Sequence, residues 1–163
     1  MDKDLNKIHT LMRQLFGLVH RLEDEAIKAS EFSDLSRAEI SAIMAIGTGR
    51  PKTMTHVANI LEINVSTLTT TINKLVKKGY VERLRDDKDR RIVKIGLSEK
   101  GISAATERDS FMGELLRGAV EQVEPDKLRY FISTIDNINQ YFMAKSSMSY
   151  LKTTPFALEP LQL

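Results

Sequence analysis

Four threonines crowd into five residues, Thr67, Thr69, Thr70 and Thr71, within the run Val65-Ser66-Thr67-Leu68-Thr69-Thr70-Thr71-Ile72-Asn73-Lys74-Leu75. Branching at Cβ makes threonine a poor helix former, so its concentration on a helical pattern asks for a chemical reason. Threonine offers a hydroxyl for nucleobase edges or phosphates and a methyl that packs against a thymine methyl. Ser66, Thr67, Thr69, Thr70, Asn73, Lys74 and Lys77 fall mainly on the polar side of this helix, with Thr71 partly inward. An ordinary surface helix that tolerates threonine is the plainer alternative. A second constellation lies at Asp89 and Arg91, two residues apart on one face of a polar stretch. There the carboxylate can hold the guanidinium by a bidentate pair and aim it outward. Such an arginine suits a narrow, strongly negative minor groove, with Lys88 and Arg90 touching phosphates. A solvated turn carrying a weak surface ion pair is the alternative.

The elements that would position these groups follow from periodicity. Leu5, Ile8, Met12, Leu15, Phe16, Val19 and Leu22 recur at steps of three and four, which predicts a long amphipathic helix. Ser36-Arg37-Ala38-Glu39 is a capping box ahead of Ile40, Ile43, Met44 and Ile46, and Gly47 to Pro51 turns the chain. Thr53 to Gly79 reads as two short helices around a turn at Glu62-Ile63-Asn64, which is helix-turn-helix spacing. Thr55 is the expected cap of the first, over Val57, Ala58 and Leu61. Asn64 or Ser66 is expected to cap the second, with Leu68, Ile72, Leu75 and Val76 inward. Beyond Gly79 the period changes to two, over Tyr80–Arg85 and again over Ile92–Leu97, which predicts a hairpin with a charged tip: a wing. Ser98 caps a further helix with Ile102, Ala105, Met112, Leu115, Leu116, Ala119 and Val123 on its stripe. Pro125 opens a last one carrying Leu128, Phe131, Ile132, Ile135, Ile138 and Phe142. Residues 147–163 lose the pattern and read as a tail.

Composition narrows the chemistry. The chain has no cysteine, which removes disulfides, thiolate metal sites and thiol sensing. His9, His20 and His56 lack metal-ligand spacing, and no hydrolase, zinc-protease or phosphate-loop motif occurs, so neither an enzyme nor a cofactor is expected. No run reaches the ~18 apolar residues of a membrane span, and Met1-Asp2-Lys3-Asp4 does not resemble a secretory signal. A cytoplasmic protein is the expectation. Net charge is +2, but residues 50–94 hold eleven basic against five acidic side chains, a local +6 that leaves −4 elsewhere. A basic centre with acidic ends suits a polyanion.

Asp89-Arg90-Arg91, Val93 and Ile95-Gly96-Leu97-Ser98-Glu99-Lys100-Gly101 resemble the wing signature of the MarR (multiple-antibiotic-resistance regulator) family. Leu35-Ser36 with Glu39, and Leu75-Val76-Lys77-Lys78-Gly79-Tyr80-Val81-Glu82-Arg83, are similar to that family too. The resemblance covers about residues 5–145. It implies an obligate dimer formed by the first and last two helices, pseudo-palindromic DNA operators, and repression controlled by a ligand near the junction of dimer and reader. The stretch Thr69–Leu75 is similar to the fatty-acid-synthesis repressor branch, which implies an acyl-chain effector on a carrier protein.

The expected fold is mainly α with a small β-hairpin wing: a winged helix-turn-helix domain plus N- and C-terminal dimerisation helices. Residues 1–34 form the N-terminal dimerisation helix, 35–98 the reader, 99–146 the C-terminal helices and 147–163 the tail. The expected function is a ligand-responsive homodimeric repressor, with helix 65–78 in the major groove and the 86–91 wing in the minor groove. The alternative is a winged-helix module that docks a protein and lacks sequence-specific DNA binding. Met12, Phe16 and His20, with Met44, Met112 and Leu116, are candidate linings of an adaptable apolar pocket, against the plainer reading that they are dimer core.

Overall fold

The computed structural model describes residues 1–85 and 93–147. The wing tip, with Lys88, Asp89, Arg90 and Arg91, and the tail after residue 147 lie outside the described residues. In chain order the elements are α1 (Asp2–Ala29), α2 (Arg37–Ile46), β1 (Lys52–Thr53), α3 (Met54–Ile60), α4 (Val65–Lys77), β2 (Val81–Arg85), β3 (Val93–Leu97), α5 (Glu99–Val120) and α6 (Pro125–Ser147). The described residues divide into two compact units, with the boundary between Gly113 and Glu114 of α5.

The helix starts follow local chemistry. Ser36 and Glu39 form the reciprocal capping box of α2. Asn64 caps α4, its Oδ1 accepting from the Thr67 amide at 2.7 Å and the Ser66 hydroxyl at 2.6 Å. For α3 the cap is Thr53, which accepts from the His56 amide, and not Thr55. An N-cap needs extended backbone, and Thr53 has it because it pairs with Lys94 of β3. Thr55 already lies in the first helical turn. The two-residue β1 is too short to show alternation in the sequence, yet it completes a three-stranded antiparallel sheet in the order β1-β3-β2.

Leu68, Ile72 and Leu75 are fully buried along one stripe of α4, against Ile43, Ile46, Val57 and Ile95. Emptying any such site to alanine typically costs about 2–5 kcal/mol. Val76, expected inward, is exposed, since one more residue swings it about 100° away from that stripe. Gly79 then ends the segment at φ 80°, in the left-handed region that glycine enters freely.

Unlike the elements from α2 to β3, the long helices have little cover. No residue of α1 is buried, and Leu5, Ile8, Leu15 and Phe16 are exposed. In the second unit, Phe131, Ile132, Ile135 and Phe142 of α6 stay 50–59% exposed in the single chain. Val123 falls beyond the end of α5, and Ile102 is exposed at its start. No helix among the described residues is long and apolar enough to cross a membrane.

The first turn of α5 is seated on the turn between α4 and β2 by backbone contact. Ser98 donates its amide to the Tyr80 carbonyl at 3.0 Å and its hydroxyl to the Gly79 carbonyl at 2.6 Å. Ser98 Oγ also accepts from the Gly101 amide, the expected cap. A Cβ at Gly101 would stand 2.1 Å from the Tyr80 carbonyl oxygen, a clash with backbone that no rotamer relieves. Gly101→Ala should therefore cost about 1–3 kcal/mol of stability and lower the thermal midpoint, although alanine is the better helix former. A circular-dichroism melt checks this, and an unchanged midpoint would contradict the close approach.

Candidate nucleic-acid interface

Opposite its buried stripe, α4 presents a polar face. Ser66, Thr67, Thr70, Asn73, Lys74 and Lys77 are exposed, and Thr69 and Thr71 are half-buried. The threonines are tolerated because their hydroxyls bond back to the helix: Thr69 Oγ1 to the Val65 carbonyl at 2.7 Å, with longer bonds from Thr70 to Ser66 and Thr71 to Thr67. A hydroxyl so engaged keeps its lone pairs as acceptors. Of the sequence-derived candidates, seven are thus gathered on one helix, and Lys88, Asp89, Arg90 and Arg91 lie outside the described residues.

Not every base of the cationic centre serves this face. Lys52 Nζ caps the end of α2, donating to the carbonyls of Ala45 at 3.0 Å and Ile46 at 2.6 Å. Lys78 turns inward at the end of α4, where Nζ donates to Glu39 Oε2 at 2.8 Å and to the Asp34 carbonyl. Arg83 was not among the sequence-derived candidates. It reaches from β2 to α4 and donates from Nη2 to Asn73 Oδ1. The signal for it is the strand alternation, which sets Arg83 on the same face as Val81.

Glu39 is 4% exposed, and its Oε1 is buried with no hydrogen-bond partner among the described residues. Burial alone would raise its pKa, but bonds from Lys78, the Ser36 amide and the Ser36 hydroxyl prevail and hold it below the ordinary value. Tyr80 is fully buried, and its hydroxyl donates to Asp34 Oδ1 at 2.6 Å. Burial first, then that bond and the nearby carboxylates, push the phenol well above its usual range. Lys100 Nζ sits 4.0 Å over the Tyr80 ring.

The ligand-pocket candidates do not converge. A cavity of about 410 Å³ opens between α1, α2, α3 and α5, lined by Ile27, Phe32, Leu35, Met44, Leu61 and Phe111 among others. Of the six expected residues, only Met44 lines it. Met12 and Met112 are half-buried elsewhere, Phe16 and His20 are exposed, and Leu116 lies in the second unit. At the cavity Arg108 is paired with Glu23 at 2.7 Å and Arg37 with Asp24 at 2.5 Å.

This arrangement matches known proteins. Residues 33–92 fit the model of the MarR family. The chain is 35% identical over 100 residues to the HTH-type transcriptional regulator SarZ of Staphylococcus saprophyticus, covering 58% of this chain and 68% of that one. It is 32% identical over 94 residues to the uncharacterized HTH-type regulator YpoP of Bacillus subtilis, covering 58% of this chain and 64% of that one. The alignments to several such relatives thus span a little under two thirds of their length. Among solved structures, FabT of Streptococcus pneumoniae in complex with DNA superimposes with a TM-score of 0.81 at 26% identity, over 85% of this chain and 97% of that one. A MarR family protein of Bacillus stearothermophilus gives 0.75 at 17% identity, over 88% of this chain and 98% of that one, and shows the shared fold. The chain belongs to the MarR family, a family of winged helix-turn-helix transcriptional regulators and not of enzymes.

The lowered pKa of Glu39 has a signed consequence. Its ionised form is favoured by folding, so the stability it adds is present above about pH 4.5, its ordinary value, and is lost as pH falls through the lower folded value. Glu39→Gln should melt below the parent at pH 7, and the gap should narrow as pH falls below about 4.5. A gap that stays constant would detach Glu39 from this role.

Proposed function

We infer that the protein is a sequence-specific, double-stranded DNA-binding transcriptional regulator, a repressor acting as a homodimer on a pseudo-palindromic operator. The observation that carries this reading is the exposed polar face of α4, with Lys74 and Lys77 beside it, on a helix whose opposite side is locked in the core. Helix 65–78 enters the major groove, where Ser66, Thr67, Thr69, Thr70, Asn73, Lys74 and Lys77 meet bases and phosphates. The 86–91 wing enters the minor groove with Arg91, flanked by Lys88, Asp89 and Arg90. The likeness to a FabT structure in complex with DNA supports this docking. The uncovered apolar residues of α1 and α6 support a dimer, since a twofold copy is the simplest cover for them.

The cavity supports a ligand-responsive regulator, with an acyl chain or aromatic acid as effector. Its lining is mainly apolar, and its two arginines are paired with Glu23 and Asp24, so an anionic end would have to compete with those carboxylates. Phe32 and Leu35 line it, while Asp34 between them holds Lys78 and Tyr80 at the end of α4. A ligand that shifts this loop therefore pulls on the reading helix.

Selection of bound sequences from a random duplex pool, repeated across salt concentrations, tests the regulator. It should enrich an inverted repeat with half-sites about one helical turn apart. Lys77→Ala should weaken all sequences alike and flatten the salt slope by about one unit. Thr70→Ala should relax preference within the half-site, and Arg91→Ala should act on A·T-rich flanks. Binding that fades with salt and enriches no motif would leave a protein-docking module. For the effector, fatty acids, acyl thioesters and phenolic acids should include one that raises the melting temperature and shifts operator affinity. Silence from all three classes would remove the ligand response.

A further inference from the structure

The pair formed by Arg83 and Asn73 bears on which base the reader prefers. In β2 the pleat sets Val81, Arg83 and Arg85 on one face, and the register pairs Val81 with Leu97 and Arg83 with Ile95. Val81 and Ile95 are buried, so Arg83 occupies a core-facing register position just where the core ends. Its side chain lies toward α4 and donates to Asn73 Oδ1. Asn73 shares the exposed face of α4 with Thr70 and Lys77, at helical steps of three and four.

A free asparagine reads adenine bidentately, donating to N7 and accepting from the N6 amine. With Arg83 donating to Oδ1, one of that oxygen's two lone pairs is filled and a guanidinium, itself a donor, stands beside the position from which the adenine N6 amine would have to donate. What Asn73 then offers is its Nδ2 donors, beside a guanidinium with further N–H groups and a positive charge. A donor-only, cationic fork matches the one base edge in the major groove that shows two adjacent acceptors, the N7 and O6 of guanine. We propose that Arg83 is a specificity-determining residue that converts Asn73 from an adenine reader into part of a guanine-reading fork. This rests on the DNA-reading function inferred above and names one letter of its operator.

The test repeats the duplex selection with the full-length parent, Arg83→Ala, Asn73→Ala and Asn73→Asp, followed by affinities for duplexes that differ only by guanine or adenine at the affected position. The parent should favour guanine there by roughly 5- to 150-fold. Arg83→Ala frees Oδ1, so the same position should switch toward adenine while the other positions keep their preference. Asn73→Ala removes the amide donors and the acceptor that holds Arg83, and should weaken the guanine preference there. Asn73→Asp keeps a partner for Arg83 but has no donor, and it should lose the guanine preference as well. Arg83 and Asn73 are exposed, so all variants should melt close to the parent. If Arg83→Ala weakens every sequence alike and leaves the base preference intact, Arg83 is a phosphate contact and the proposal fails. If the parent itself enriches no motif, the DNA-reading function falls first, and the fork with it.

Discussion

A carboxylate withdrawn from water must be met by donors or be neutralised, and Glu39 is where this reader meets that constraint. Its Oε2 accepts from the Ser36 amide at the start of α2 and from Lys78 at the end of α4, 39 residues away. Because the other oxygen is buried without a partner among the described residues, these bonds, with the Ser36 hydroxyl, carry the compensation. They are satisfied only if the loop before α2, the capping box and the end of α4 hold one mutual position. Lys78 shares its ammonium with the Asp34 carbonyl, and the Asp34 carboxylate receives the Tyr80 hydroxyl. Tyr80 in turn offers its carbonyl to Ser98 and sits under the close approach of Gly101. One polar chain thereby joins α2, α4, the root of the wing and the first turn of α5.

With its end clamped and Leu68, Ile72 and Leu75 buried, α4 needs little from its outer residues. That freedom is what permits threonine where a self-supporting helix would carry alanine or glutamate. The back-bonds from Thr69, Thr70 and Thr71 keep the polar side chains ordered without adding apolar surface. The same loop that clamps α4 also walls the cavity through Phe32 and Leu35, so reader position and cavity shape share a physical element.

Elements governed by near neighbours along the chain are legible in the order of residues alone. The capping box at Ser36 and Glu39, the Asn64 cap, the stop at Gly79 and the alternating strands all depend on contacts within a few residues, and periodicity reports them directly. The threonine-rich face is legible for the same reason. Less is visible where a partner from elsewhere decides the outcome. Thr53 caps α3 in place of Thr55 because β3 holds it extended. Val76 is exposed because the core covers only one stripe of α4.

The amino-acid sequence by itself determined the family, the helix-turn-helix and hairpin, and which residues of α4 are polar, since those are local patterns of type and spacing. Tertiary structure alone decided what each charge does. Lys52 and Lys78 counted toward a cationic centre in the sequence, yet they cap one helix and neutralise a buried carboxylate. Arg83, a strand residue by its neighbours, became a partner of Asn73 ten positions away. The difference is physical: a side chain's charge is intrinsic, but the group that meets it is chosen by packing among residues distant in the chain.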